Sequence, residues 1–258
     1  PDMKDGKIPL VLYNLGGSFI NIIIGALFLV GYLIFSDIPF LSPILLICAA
    51  VGLMIAMMNG IPKRIGPVDI DGCNAFALSK SKEAVEAFWV QLKVAEQSSK
   101  GVRLKDMPAE WFAVPTDEAM KNSMVATRCV FTCNRLMDEE KFEEADALMA
   151  HLLEIESGIV GLHHDLLMCD RIYVELIGQN RTEVIASMMT KEQKKFMKAM
   201  KRFPSVLRTQ YALAVLEEKN VSKAETIKGD FDKAAKSYPY PHEIESEREL
   251  MRIVDQKC

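Results

Sequence analysis

The sequence predicts an all-α protein in which a two-span transmembrane helical hairpin (residues 1–75) precedes an α-helical repeat domain (residues 76–258). Three observations predict it. No charged residue lies between Lys7 and Asp37, or between Asp37 and Lys63, so each run can cross roughly 30 Å of hydrocarbon as a helix of about 20 residues. Beyond residue 76 the apolar residues recur near the 3.6-residue period of an amphipathic helix. Gly, Pro and acidic interruptions then cut that region into helix-length segments joined by short turns. The mean hydropathy of +0.09 averages the two halves and hides the membrane segment.

The two spans meet at Ser36-Asp37. Lys4 and Lys7 precede the first, Lys63 and Arg64 follow the second, and the tip carries only Asp37. By the positive-inside tendency both ends then face the cytosol, which makes this an integral membrane protein with a cytosolic C-terminal domain. A cleaved signal peptide is the competing reading of the first run, but it needs a shorter apolar core and no second span. The chain begins with Pro1 rather than methionine, so a preceding segment is expected. Within the first span, Asn14, Gly16-Gly17-Ser18 and Asn21 form a polar, small-residue notch; it suits either close helix packing or a protein-lined cavity. Gly66-Pro67 should end any helix after the second span, leaving Val68 to Gly72 as an irregular stretch at the membrane face. Its carboxylates, Asp69 and Asp71, are functional candidates or helix caps.

Gly17-Ser18-Phe19-Ile20-Asn21 resembles the G-P-x-x-N element of the site-2 protease family of intramembrane zinc metalloproteases, with Ser18 in place of the usual proline. Asn59-x-x-Pro62 followed by Asp71-Gly72 resembles that family's N-x-x-P…D-G element. The resemblance covers about the first 75 residues. It implies that Asp71 is the third zinc ligand, with Asp69 as a rival because the gap after Pro62 is longer than usual. It also implies that Gly17, Asn21, Asn59 and Pro62 border a cleft for an extended substrate segment. In such a site zinc lowers the pKa of bound water and polarises the scissile carbonyl.

The family's remaining ligands and base come from H-E-x-x-H on a helix, and this sequence has no such motif. Its four histidines are His151, His163, His164 and His242. His242-Glu243 has Ser246 at the second histidine position and lies in a polar stretch, while His163-His164-Asp165 suits a helix-surface doublet. The chain by itself therefore has no complete catalytic zinc site, and zinc is implied only if a histidine-bearing helix lies upstream of Pro1.

Composition narrows the partners. A net charge of −4 without a basic patch gives nucleic acid no footprint. The six cysteines show no disulfide-framework spacing, and Cys129 and Cys133 suit two helix-face positions rather than a metal knuckle. No phosphate loop and no G-x-S-x-G context occurs.

In the second half, Ser79 to Lys100 is a first amphipathic segment stopped by Gly101, and Trp111-Phe112 sits in a proline-marked connector, as a cap on nearby core or as a docking patch. Helices follow from Met124 to Met137, Phe142 to Glu156 and Leu162 to Leu176, then from Phe203-Pro204 to Leu216 and from Val221 to Ser237. Thr190 to Arg202 is basic on one side and Phe/Met on the other, the pattern of a solvated helix or of one lying on an anionic membrane. Tyr211, Ala212 and Leu216 facing Ala224, Phe231, Ala234 and Ala235 resemble a degenerate tetratricopeptide repeat, as do Arg135 through Leu153. A repeat array presents a concave surface to a protein or peptide partner; an irregular bundle is the alternative. Two functions remain: a site-2-type zinc metallopeptidase portion acting on membrane-associated substrates, or a non-catalytic membrane-anchored interaction scaffold.

Overall fold

The structure is a computed structural model that describes residues 10–65, 68–79 and 81–257. Lys4, Lys7, Gly66-Pro67 and Cys258 lie outside the described residues, as do the side chains of Arg64 and Asp69. Among the described residues the regular structure is helical apart from one two-residue ladder, and the chain divides into two compact units, residues 2–86 and 87–258.

In the first unit, α1 (Leu10–Ile34) and α2 (Leu41–Gly60) pair along their length. Both are long and apolar enough to cross a membrane, and only 11% of either span is buried within the protein. That exposure distinguishes them from soluble core helices, which hide such surface; Leu12, Leu27, Leu33, Ile47 and Met57 all project outward. The two helices are antiparallel, since Gly31 meets Leu45, Gly25 meets Ala49 and Leu53, and Ser18 meets Gly60. Their seam is built from small residues. A Cβ on Gly25 would lie 3.2 Å from Leu53 Cγ, and one on Gly52 would lie 3.4 Å from the Asn21 carbonyl oxygen. Such backbone approach is what glycine and alanine permit where lipid offers no hydrophobic drive between helices. The tip turns through Phe40, which is 84% exposed and holds φ at 70°.

After α2 the sequence expectation of an irregular stretch is corrected. Arg64–Ile65 (β1) and Val68–Asp69 (β2) form an antiparallel ladder with Ile65 opposite Val68. Asp71 then opens α3 (Asp71–Leu78), which packs against α1 and α2. The boundary between units falls inside α4 (Lys82–Ser99).

In the second unit, two short 3₁₀ turns, Leu104–Asp106 and Ala109–Phe112, lead to α5 (Asp117–Met120). Phe112 is buried with Val90, Val94 and Met107, and Trp111 meets Trp89 edge-on, so the connector does cap a core. Next come α6 (Ser123–Asp138), α7 (Phe142–Glu154) and α8 (Gly161–Ile177). Asn122 caps α6 through Met124 N–H, and Cys129 and Cys133 are buried on its inner face. Then follow α9 (Thr182–Met188) and α10 (Lys191–Ala199). Gln193 and Met197 are buried on α10, and Gln193 donates to the Asp165 carbonyl of α8, so the apolar stripe of α10 faces protein. Pro204 starts α11 (Pro204–Ala212), which ends in a π turn at Leu213–Glu217 and is followed by α12 (Val221–Ala235) and α13 (Pro241–Asp255). Helix α11 is central, packing on α8, α12 and α13.

Candidate functional site

The hairpin unit gathers the three sequence elements of interest at one end. Gly72 of α3 is buried so tightly that a Cβ there would lie 2.5 Å from Gly60 O and 2.6 Å from the Ile61 carbonyl carbon. Asp71-Gly72 is thus seated on the Asn59–Pro62 segment, and only glycine permits that seat. Gly60 in turn faces α1, with the Ser18 hydroxyl 3.3 Å from where its Cβ would stand. Ser18 Oγ is buried without a hydrogen-bond partner among the described residues, which leaves a polar group available in the notch. One turn deeper, the Asn21 carbonyl lies against Gly52.

The remaining candidates sit as follows. Asp71 is half-buried at the first position of α3, where the helix N-terminus favours a carboxylate. Asn21 and Asn59 are half-buried and Pro62 is exposed. Gly17 is exposed with open space beyond it, so it faces away from the α1–α2 seam rather than into it. Asp69 lies in β2 opposite Arg64. All four histidines lie in the other unit, and among the described residues no three His, Cys, Asp or Glu side chains converge as metal ligands. The residues described here therefore do not by themselves fit a zinc ion.

The second unit holds a site that the sequence did not single out. A cavity of about 430 Å³ lies among α4, α6, α8, α11 and α13. At its base is Arg208 of α11, 1% exposed, which pairs with Asp170 of α8 and stands 3.4 Å from Glu247 of α13. The guanidinium also stacks 4.3 Å from the Tyr173 ring centroid, and Tyr173 donates to the Leu250 carbonyl at 2.8 Å. Burial works against the Arg208 charge, but Glu247 and Asp170 outweigh it and hold the guanidinium protonated. Burial pushes the Glu247 carboxyl up to about 7 despite Arg208, and it raises Asp170 in the same direction.

A second guanidinium, Arg103, closes another wall. It reaches Asp138 at 2.6 Å and Glu249 at 2.7 Å, while Asp138 also accepts from Ser246 Oγ and the Lys105 N–H. His242 is buried although its stretch of sequence is polar: it is 7% exposed, and neither ring nitrogen has a hydrogen-bond partner among the described residues. His163 also differs from a surface residue, since it lines the cavity, whereas His164 is exposed and bonds Asp165 at 3.0 Å. The available signal was charge on apolar faces. Arg208 follows Val206-Leu207, and Asp170 shares a stripe with Leu167 and Tyr173.

Compared with known proteins, the chain matches no family model, no curated protein and no solved structure. The functional reading rests on the two sites.

Proposed function

We propose that the hairpin unit is part of a membrane-embedded metallopeptidase of the site-2 type, acting on membrane-associated protein substrates and carrying one ligand, Asp71, of a zinc site. The supporting observation is the convergence of Ser18, Gly60 and Asp71-Gly72. Three elements far apart in sequence, each carrying part of the resemblance, are in contact at one end of the hairpin. The other ligands come from residues outside this hairpin. Asn21, Asn59 and the unpartnered Ser18 hydroxyl offer donors and acceptors to an extended substrate backbone, with Pro62 and the outward face at Gly17 bordering the cleft.

The helical unit is cytosolic in this reading, a tetratricopeptide-like array that engages a protein or peptide partner through its concave interior. Pairing of α6 with α7 and of α11 with α12 supports it. The lipid bilayer is the environment of α1 and α2. Zinc content of the full-length protein purified from its native membrane tests the proposal: Asp71→Ala should lose metal and Asp69→Ala should keep it. Retention in the first and loss in the second would assign the ligand to Asp69. Metal unchanged in both would instead leave a membrane-anchored interaction protein whose hairpin only tethers the helical unit.

A further inference from the structure

The cavity of the second unit has the composition of a cation site. Four carboxylates line it, those of Asp138, Asp170, Glu243 and Glu247, against two guanidinium groups, Arg103 and Arg208. Arg103 pairs with Asp138, and Arg208 with Asp170 and Glu247, so Glu243 is the lining carboxylate without a guanidinium partner among the described residues, and the formal count of the lining stays negative. Glu243 accepts from the Tyr238 hydroxyl at 2.8 Å, and Glu247 Oε2 is buried 3.4 Å from Arg208 Nε without a hydrogen bond. His242 points to a ligand on separate grounds. It is more than nine-tenths buried at the cavity wall with both ring nitrogens unpartnered, and a neutral imidazole keeps one nitrogen as an acceptor. Buried polar atoms of this kind are as a rule satisfied, so an absent donor is implied.

An aromatic row leads inward to that imidazole. Phe203, Tyr238, Tyr240 and His242 stand edge to face at successive centroid distances of 6.4, 6.1 and 6.1 Å. Tyr238 and Tyr240 are half-buried, so the row reaches solvent. Ring faces beside carboxylates favour a cation with an apolar stem, the form of an arginine or lysine side chain. The volume lies within the range of about 300–1,000 Å³ typical of ligand pockets, which suffices for such a side chain and its adjoining backbone.

We propose that this cavity binds the arginine or lysine side chain of an extended peptide, with the stem along Tyr238 and Tyr240 and the cation bonded to Glu243, Glu247 and His242. It deepens the partner reading above by naming the partner's chemistry, and it needs no metal in the hairpin.

Calorimetric titration of the full chain in detergent tests it, using the blocked pentapeptides acetyl-Gly-Gly-X-Gly-Gly-amide with X as arginine, lysine or norleucine. The basic peptides should bind at least tenfold more tightly than the norleucine peptide. Glu247→Gln and Tyr240→Ala should each weaken the basic peptides at least fivefold, with the helical circular dichroism retained. Tyr240 is half-buried, so its variant keeps the test usable if Glu247→Gln fails to fold. Equal binding of the norleucine peptide, absence of binding, or wild-type affinity in Tyr240→Ala would overturn the proposal. Spermidine binding as tightly as the arginine peptide would overturn the peptide assignment in favour of a free polyamine. Zinc plays no part in these readouts, so their failure leaves the metallopeptidase reading standing.

Discussion

Gly72 rests against the carbonyl oxygen of Gly60 with no room for a side chain between them. A Cβ at position 72 would stand 2.5 Å from that oxygen and 2.7 Å from the next carbonyl oxygen, of Ile61. Both neighbours are backbone, so no rotamer change relieves the clash. Gly72→Ala must shift α3 away from the end of α2, at a cost of about 1–3 kcal/mol typical of overpacking. Thermal unfolding of the full chain in detergent should show a lowered Tm. Gly17→Ala is the control, since nothing lies within 4 Å of its Cβ position, and it should leave Tm unchanged or slightly raised.

Arg208 stabilises two carboxylates at once. Removing it with Arg208→Met leaves Asp170 and Glu247 buried without their cation, a loss of about 3–5 kcal/mol for a broken buried pair. Adding Asp170→Leu should recover part of that loss, because the second change removes one of the stranded charges. A double variant as unstable as the sum of both single changes would show that the pair is not coupled. Thermal melts of the four proteins supply the cycle.

Glu247 makes stability depend on pH in a definite direction. Its carboxyl is raised from 4.5 to about 7 in the fold, so it holds its proton more tightly folded than unfolded. The resulting stabilisation is fully present below about pH 4.5 and is lost as pH rises through 7. Asp170 and Glu243, also raised, act with the same sign, while Asp138 and Glu249, lowered beside Arg103, act with the opposite one. Subtracting the Tm of Glu247→Gln isolates the one group. The wild-type Tm minus the variant Tm should fall steadily between pH 4.5 and 7.5, and a flat difference would contradict the assignment.

Much of the helical framework was legible because its punctuation is chemical. The acidic turn at Glu139-Glu140 ends α6, Gly178 stops α8, and Pro204 starts α11. Helix α13 was missed: Ile244, Leu250, Met251 and Val254 do carry the helical period, but five Glu and Arg residues between them mask the stripe. The β1–β2 ladder is too short to leave a periodic signal. The small-residue notch of α1 was visible, yet which of its residues turns inward follows from register: Asn14 and Ser18 are buried, and Gly17 is not. The Arg208 cluster was illegible for a different reason. Its members come from α8, α11 and α13, and nothing in local sequence says that a lone Arg, Asp and Glu will meet.

The most direct test of the central claim is X-ray absorption at the zinc edge on the full-length protein from its native membrane, wild type beside Asp71→Cys. If Asp71 is a ligand, the wild type should show only nitrogen and oxygen neighbours near 2.0–2.2 Å, and the variant should gain a sulfur neighbour at about 2.3 Å. Zinc bound with an identical coordination shell in both proteins, or no zinc in either, would contradict the account.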